Sequence, residues 1–349
     1  MTLWNKSIGA VSSAPAPARN QCVAVSTFTT PFIAVYPWSN SGFGAKFSDP
    51  IVKPTNVAYG VAFSPSSDAI AVSHDRSPFI TVYPWSSSGF GSKFSNPGIL
   101  PPSAGLSTVF SPAGNAIVVT GSFTSPRIAA YPWSSSGFGT KFSNPGTLPG
   151  LVVNRATFSP SGDVIAVAQS SSPYVYAYAW SGSGFGTVFS NPSTAIPASG
   201  NGVAFSPSGN AIAIAHSSSP FISVYAWSGS GFGTKFSNPA SLPPANGWGV
   251  SFSPSGDSIA VGTEVTPFIT AYPWSSSGFG TKFSSPSTLP TDACYEVAFS
   301  KSGDAIGVSV FSSPFVTVYS WSSSGFGSRF SNPSSLPSGR SQCIAFGEL

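Results

Sequence analysis

Charge is the scarcest commodity of this chain. Only 7% of its 349 residues are Asp, Glu, Lys or Arg, against roughly a quarter in ordinary soluble domains. Solubility must rest on Ser, Thr, Asn and backbone groups, which suits a rigid, loop-rich all-β protein. Histidine occurs twice and cysteine three times, at Cys22, Cys294 and Cys343. An odd number without metal-ligand spacing argues against both a disulfide framework and a metal site. No window approaches the roughly 18 apolar residues of a membrane span. The opening MTLWNKSIGAVSSAPAPA has no apolar core long enough for a secretory signal, and its alternating prolines predict an extended arm over residues 1–20.

What the chain has in abundance is repetition. Trp38, Trp85, Trp133, Trp180, Trp227, Trp274 and Trp321 are separated by five gaps of 47 residues and one of 48. A unit of that size is too small to bury a core alone and must stack on its neighbours. Residues 156–192 serve as a pattern: ATFSPSGDVIAVAQSSSPYVYAYAWSGSGFGTVFSNP. "ATFS" is a short apolar run and "SPSGD" a Pro/Gly turn. "DVIAVA", "YVYAYAW" and "GFGTVFS" read as three further strands, separated by Ser-rich connections. Four short strands with turns every eight to twelve residues make one propeller blade. Seven such units predict a seven-bladed β-propeller over residues 21–349, each blade a four-stranded antiparallel sheet.

The chain ends predict how the ring closes. "QCIAF" at 342–346 matches a first-strand segment, whereas "QCVAV" at 21–25 matches a second-strand segment with no first strand before it. The C-terminal strand should complete the N-terminal blade. Hairpin register places Cys22 opposite Phe346, which sets Cys22 and Cys343 apart and disfavours a disulfide. Pro37, Pro84, Pro132 and Pro273 precede their tryptophans, and proline cannot donate to a central ladder. The third strand is therefore expected to stop at the preceding Tyr, with each Trp packed between blades.

The segment "VAFSPSGDAIAV…SPFITVY" resembles the tryptophan–aspartate repeat family, whose blades carry a similar Phe-Ser-Pro-x-Gly turn, seen at 158–162, 205–209 and 252–256. The chain departs from that family in lacking its Gly-His dipeptide and in placing Ser after each Trp. "YPWSSSGFGTKFSNP" also resembles repeats in propeller-like proteins of bacteriophages, which would imply a virion or tail component.

The inventory for chemistry is thin. Asp68, Asp163, Asp257 and Asp304 alternate with Asn115 and Asn210 at one turn position, as a backbone-bonding residue would. Asp49 alternates with Asn at another. Asp75, Glu264, Asp292, Glu296 and Glu348 are the carboxylates outside any repeat. His74 and His216 fall in blades 2 and 5, too far apart to share a metal. Six basic residues, Lys46, Lys93, Lys141, Lys235, Lys282 and Arg329, recur at one edge-strand position, where Lys guards against strand addition. That placement does not call for nucleic acid. No catalytic triad, metal cluster or phosphate loop is legible, and no cofactor is implied.

Two connections vary from blade to blade, and in an up-and-down blade both emerge on one face. They carry the candidate partner-binding residues Tyr59, His74, Asp75, Arg76, Phe123, Arg155, Trp248, Glu264, Tyr295, Glu296 and Phe311. One register should ring the channel mouth: Tyr59, Leu106, Asn154, Asn201, Trp248, Tyr295 and Gln342. The next position holds small residues except Arg155 and Glu296, opposite charges near the axis. Loops on a rigid scaffold often carry function, and aromatics with Arg make binding hot spots. The expectation is a non-enzymatic disc docking a protein partner or glycan surface as part of a larger assembly. The alternative is a multivalent lectin using uniform positions such as Trp85, Phe90 and Asn96. An enzyme at the channel mouth, with Asp75 or Glu296 as its acid, ranks third.

Overall fold

The computed structural model describes residues 21–122 and 124–349; the N-terminal arm and Phe123 lie outside them. Seven four-stranded antiparallel sheets make the seven blades expected from the repeat. In six of them the strands run in chain order from the axis outward. In the seventh, Ser341–Glu348 is the innermost strand and pairs with Gln21–Thr27. The last strand thus closes the ring. The register is one residue from the expected one: Cys22 lies opposite Gly347, and Val23 opposite Phe346. Cys343 faces Ser26, and all three cysteines are free thiols.

Each blade seam is an aromatic joint. Trp133 of blade 3 touches Phe110 and Phe138 of its own blade and Phe94 of blade 2, with centroids 5.5, 5.1 and 5.0 Å apart and rings near perpendicular. Edge-to-face packing of this kind suits the ring quadrupoles. One residue type is buried completely in every blade: Tyr36, Tyr83, Tyr131, Tyr178, Tyr225, Tyr272 and Tyr319. Their hydroxyls donate to carbonyls of the incoming inter-blade loop, as Tyr83 to Val52 at 2.7 Å and Tyr36 to Ser335 at 2.8 Å. A buried phenol needs a partner, and this one fastens each loop.

The Phe-Ser-Pro turn is locked by its serine. Ser64 Oγ accepts from the Ala69 amide at 3.0 Å and donates to Asp68 Oδ1 at 2.7 Å. Asn115 and Asn210 receive the same bond from Ser111 and Ser206. The interchange of Asp and Asn is thereby explained.

Proline acts differently from the expectation. The third strand of blade 1, Ile33–Ser39, runs through Pro37 and Trp38. Its missing N–H faces outward, not toward the central ladder. Pro37 accepts a bond from Gly44 N–H at 2.8 Å but cannot return one, and antiparallel pairs rely on that exchange. The outer strand is what ends. In the four blades with proline it spans two residues, as Gly42–Phe43 and Gly89–Phe90 do. Where Ala179, Ala226 or Ser320 replaces proline, it spans five: Gly184–Val188, Gly231–Lys235 and Gly325–Arg329.

Candidate functional site

The innermost strands converge on the axis, and one register of side chains closes around a cavity at its mouth. Tyr59, Leu106, Asn154, Arg155, Asn201, Trp248, Tyr295 and Gln342 line it, and its volume is ≈ 140 Å³. These include all seven residues that the repeat register placed there. One arc, from blades 6, 7 and 2, is aromatic: Trp248 contacts Tyr295 at 5.3 Å between centroids. The facing arc, from blades 4 and 5, is amide. Asn154 Nδ2 donates to the Gly200 carbonyl at 2.8 Å and Asn201 Nδ2 to that of Gly247 at 2.9 Å. These bonds fix both amide planes.

Arg155 floors the cavity and is ion-paired to Glu296, which lines the chamber beneath. Arg155 of blade 4 reaches across the channel to Glu296 of blade 7, with Nε donating to Oε2 at 2.7 Å. Its Nη groups donate to the carbonyls of Asn154 at 3.1 Å and Gln342 at 3.2 Å. The two side chains are 14% and 15% exposed. Burial opposes the Arg155 charge, but the pairing with Glu296 outweighs it and holds the guanidinium pKa above its ordinary value. Glycine makes room for the pair: a Cβ on Gly249 would sit 2.6 Å from Glu296 Oε1. Beneath lies a second cavity of ≈ 250 Å³, lined by Arg155, Glu296, Ser107, Ser251 and Cys343 among others. The pair therefore separates an outer chamber from the inner channel.

The remaining candidates scatter around this centre. Asp75 and Arg76 flank a neighbouring surface hollow with Tyr59 and Leu106. Glu264 accepts from Trp248 Nε1 at 3.4 Å, and Phe311 lies 6.2 Å from the Tyr295 ring. His74 does not belong to the exposed set. It ends the strand Ala69–His74, is fully buried, and exchanges hydrogen bonds with Thr55 at 3.2 Å and Thr81 at 2.9 Å. Burial pushes its pKa down to about 4. His216 has the same setting beside Ser223, and burial lowers it equally to about 4. Both are core histidines.

Two rim residues escaped the sequence reading. Arg340, on the loop before the closing strand, stacks over Phe28 at 3.6 Å and Phe311 at 4.9 Å. The available signal was its position: a cation in an inter-blade connection, where among the other blades only Lys53 carries one. Phe28 follows the strand Gln21–Thr27, in the variable connection of blade 1.

No protein-family model matches the sequence, and no curated protein is similar to it. Solved structures match the fold. A Bacteroides fragilis protein provisionally named 6-phosphogluconolactonase superimposes with a TM-score of 0.74 at 11% identity, covering 96% of this chain and 100% of its own. A Bacteroides uniformis protein of the same provisional name gives 0.74 at 12% identity, covering 94% and 100%. The periplasmic gluconolactonase of Pseudomonas aeruginosa gives 0.69 at 16% identity, covering 94% and 98%. No tryptophan–aspartate family model matches, and none of these three structures is of a bacteriophage protein. The finding overturns two expectations, that the protein is not an enzyme and that it is a docking disc or a lectin of one site per blade. These three propellers of the same shape carry lactonase names. The physical reason for the miss is distance in sequence, since ring closure joins Arg155 and Glu296 across 141 residues, and no local motif signals that.

Proposed function

We propose that the protein is a lactonase-type hydrolase whose site is the channel mouth. The names of the solved structures supply the reaction class, and the Arg155–Glu296 pair below the mouth carries the reading. A buried ion pair is seldom the most stable filling for a site, because desolvating two charges offsets most of their attraction. The ring is already fastened by the closing strand, so closure does not need the pair. Charges held together at the foot of a cavity are a frequent mark of chemistry.

The mouth has room for one six-membered ring, as cavities near this volume do. Trp248 and Tyr295 offer faces to the C–H side of such a ring, and Asn154 Oδ1 accepts no bond from a described residue, leaving it for a hydroxyl. Arg155 places positive charge where the ester carbonyl oxygen would gain negative charge. Glu296 takes a proton as water adds to the carbonyl carbon. The ring C–O bond then breaks, the proton passes to the departing alkoxide, and a hydroxy acid results. The test is hydrolysis of glucono-δ-lactone above its spontaneous rate, followed by pH-stat. Glu296→Gln should lower the catalysed rate by roughly 100-fold or more in protein that is still folded at the assay temperature, with a lowered melting temperature because Arg155 loses its charged partner. Wild-type protein that leaves the spontaneous rate unaltered across a panel of five- and six-membered lactones would refute the proposal.

A further inference from the structure

Among the described residues, Arg76 is exposed, and the other four arginines divide into two kinds. Arg127, Arg155 and Arg329 donate to acceptors of the protein itself: the Pro149 carbonyl, the Glu296 carboxylate and the Asn332 amide. Arg340 is half-buried; its carbonyl accepts from the Phe28 amide at 3.1 Å, yet its side chain makes no hydrogen bond or ion pair with any described residue. Its guanidinium plane is held between the rings of Phe28 and Phe311, 3.6 and 4.9 Å from their centroids. Only Nε is sealed from solvent, without a partner; the two Nη groups stay accessible. Cation–π stacking uses the faces of the guanidinium and leaves its N–H edge free. A cation so fixed has already lost its rotamer freedom, and a planar fork of donors matches the two oxygens of a carboxylate or phosphate.

The location ties this fork to the cavity. Phe28 stacks edge-on to Tyr59 at 5.2 Å, and Phe311 is tilted against Tyr295 at 6.2 Å. Tyr59 and Tyr295 are walls of the mouth, so Arg340 stands one side chain behind the aromatic arc. Arg155 has few donors left for an anionic substituent of the ligand, since Glu296 engages its Nε and the Asn154 and Gln342 carbonyls its Nη groups. Of the carboxylates nearest the rim, Asp292 is occupied by the Ala293 amide and Ser312 hydroxyl and Glu264 by Trp248, whereas Asp75, beside Tyr59, has its Oδ1 buried without a hydrogen-bond partner among the described residues.

We infer that Arg340 is the anion-recognition residue of the channel-mouth site, selecting single-ring ligands that carry a carboxylate or phosphate group over neutral ones. This rests on the mouth being the ligand site but not on the hydrolytic step. The experiment is calorimetric titration of the full chain with glucose, glucuronate and glucose 6-phosphate, which share one ring and differ in charge. At least one of the two anions should bind roughly tenfold or more tightly than glucose, and which one does identifies carboxylate or phosphate as the group read. Arg340→Gln should erase the preference while leaving glucose binding and the melting temperature in place, and Arg340→Lys should restore part of it. If Arg340→Gln does not fold, the wild-type preference must still shrink as salt is raised, since screening weakens it. Equal binding of the three sugars, binding of none, a preference that survives Arg340→Gln, or one insensitive to salt would each overturn the assignment. Anion preference without lactone turnover by the wild-type protein defeats the hydrolase reading alone. Turnover without anion preference defeats this one alone.

Discussion

Each blade seam holds the same side chains seven times: a Trp, a buried Tyr and the phenylalanines that wedge against them. A few residues along the innermost strands, the channel mouth holds Tyr59, Leu106, Asn154, Asn201, Trp248, Tyr295 and Gln342 in equivalent places. The seams must satisfy one geometric demand repeated around a circle, so identical residues are the simplest answer. The mouth has a single axis and no such demand. Where a sevenfold scaffold breaks its own symmetry, packing no longer explains the choice.

The contrast can be broken most forcefully with two tryptophans. Trp133→Ala empties a seam and should lower stability by about 3–5 kcal/mol, read as a shift in a urea midpoint. Trp248→Ala, at the half-buried mouth, should lower stability by less than about 1 kcal/mol yet weaken ligand binding. Equal effects on the urea midpoint would mean that the mouth is packing after all.

The ion pair sharpens the same contrast. Arg155→Met strands Glu296 without its partner and should lower stability by about 3–5 kcal/mol. Adding Glu296→Leu should recover most of that loss, because the bare carboxylate is gone. A stable double variant that still opened a lactone would remove the pair from the mechanism.

The buried histidines give a smaller, pH-dependent effect. Each stays neutral in the fold down to about pH 4, while in the unfolded chain it protonates near its ordinary value of about 6.5. Between these limits the unfolded state binds more protons, so stability is full above about pH 6.5 and falls as the pH drops toward 4. The loss should approach about 3 kcal/mol per histidine, and His74→Gln with His216→Gln should flatten it. Denaturant midpoints measured across that window decide. The smallest effect belongs to Pro84→Ala. Restoring the N–H should lengthen the outer strand of blade 2 toward the five residues of blades 4, 5 and 7, slowing amide exchange near Gly91 with a stability change below about 1 kcal/mol.

The outer strands show how sequence rules apply and misapply. Proline's missing donor was read correctly, but a sequence does not tell which side of the strand that donor would face. The structure points it outward, and a different strand is shortened. His74 is a similar case. The repeat places it in a variable connection with Asp75 and Arg76, yet the strand Ala69–His74 continues through it and is buried on both faces, which puts the imidazole in the core. Arg340 was illegible for another reason, because its partners Phe28 and Phe311 belong to the first and last blades and meet only when the ring is shut.

By itself the sequence determined the number of blades, their four-strand order, the strand that closes the circle and the seven residues that ring the mouth. All of these follow from periodicity, which is a local property copied along the chain. The tertiary structure alone decided that Arg155 meets Glu296, that Arg340 is clasped between two phenyl rings with its donors open, and that the histidines are sealed. Those are meetings between blades remote in the chain, set by the curvature of a closed ring, and no repeat unit carries that curvature within itself.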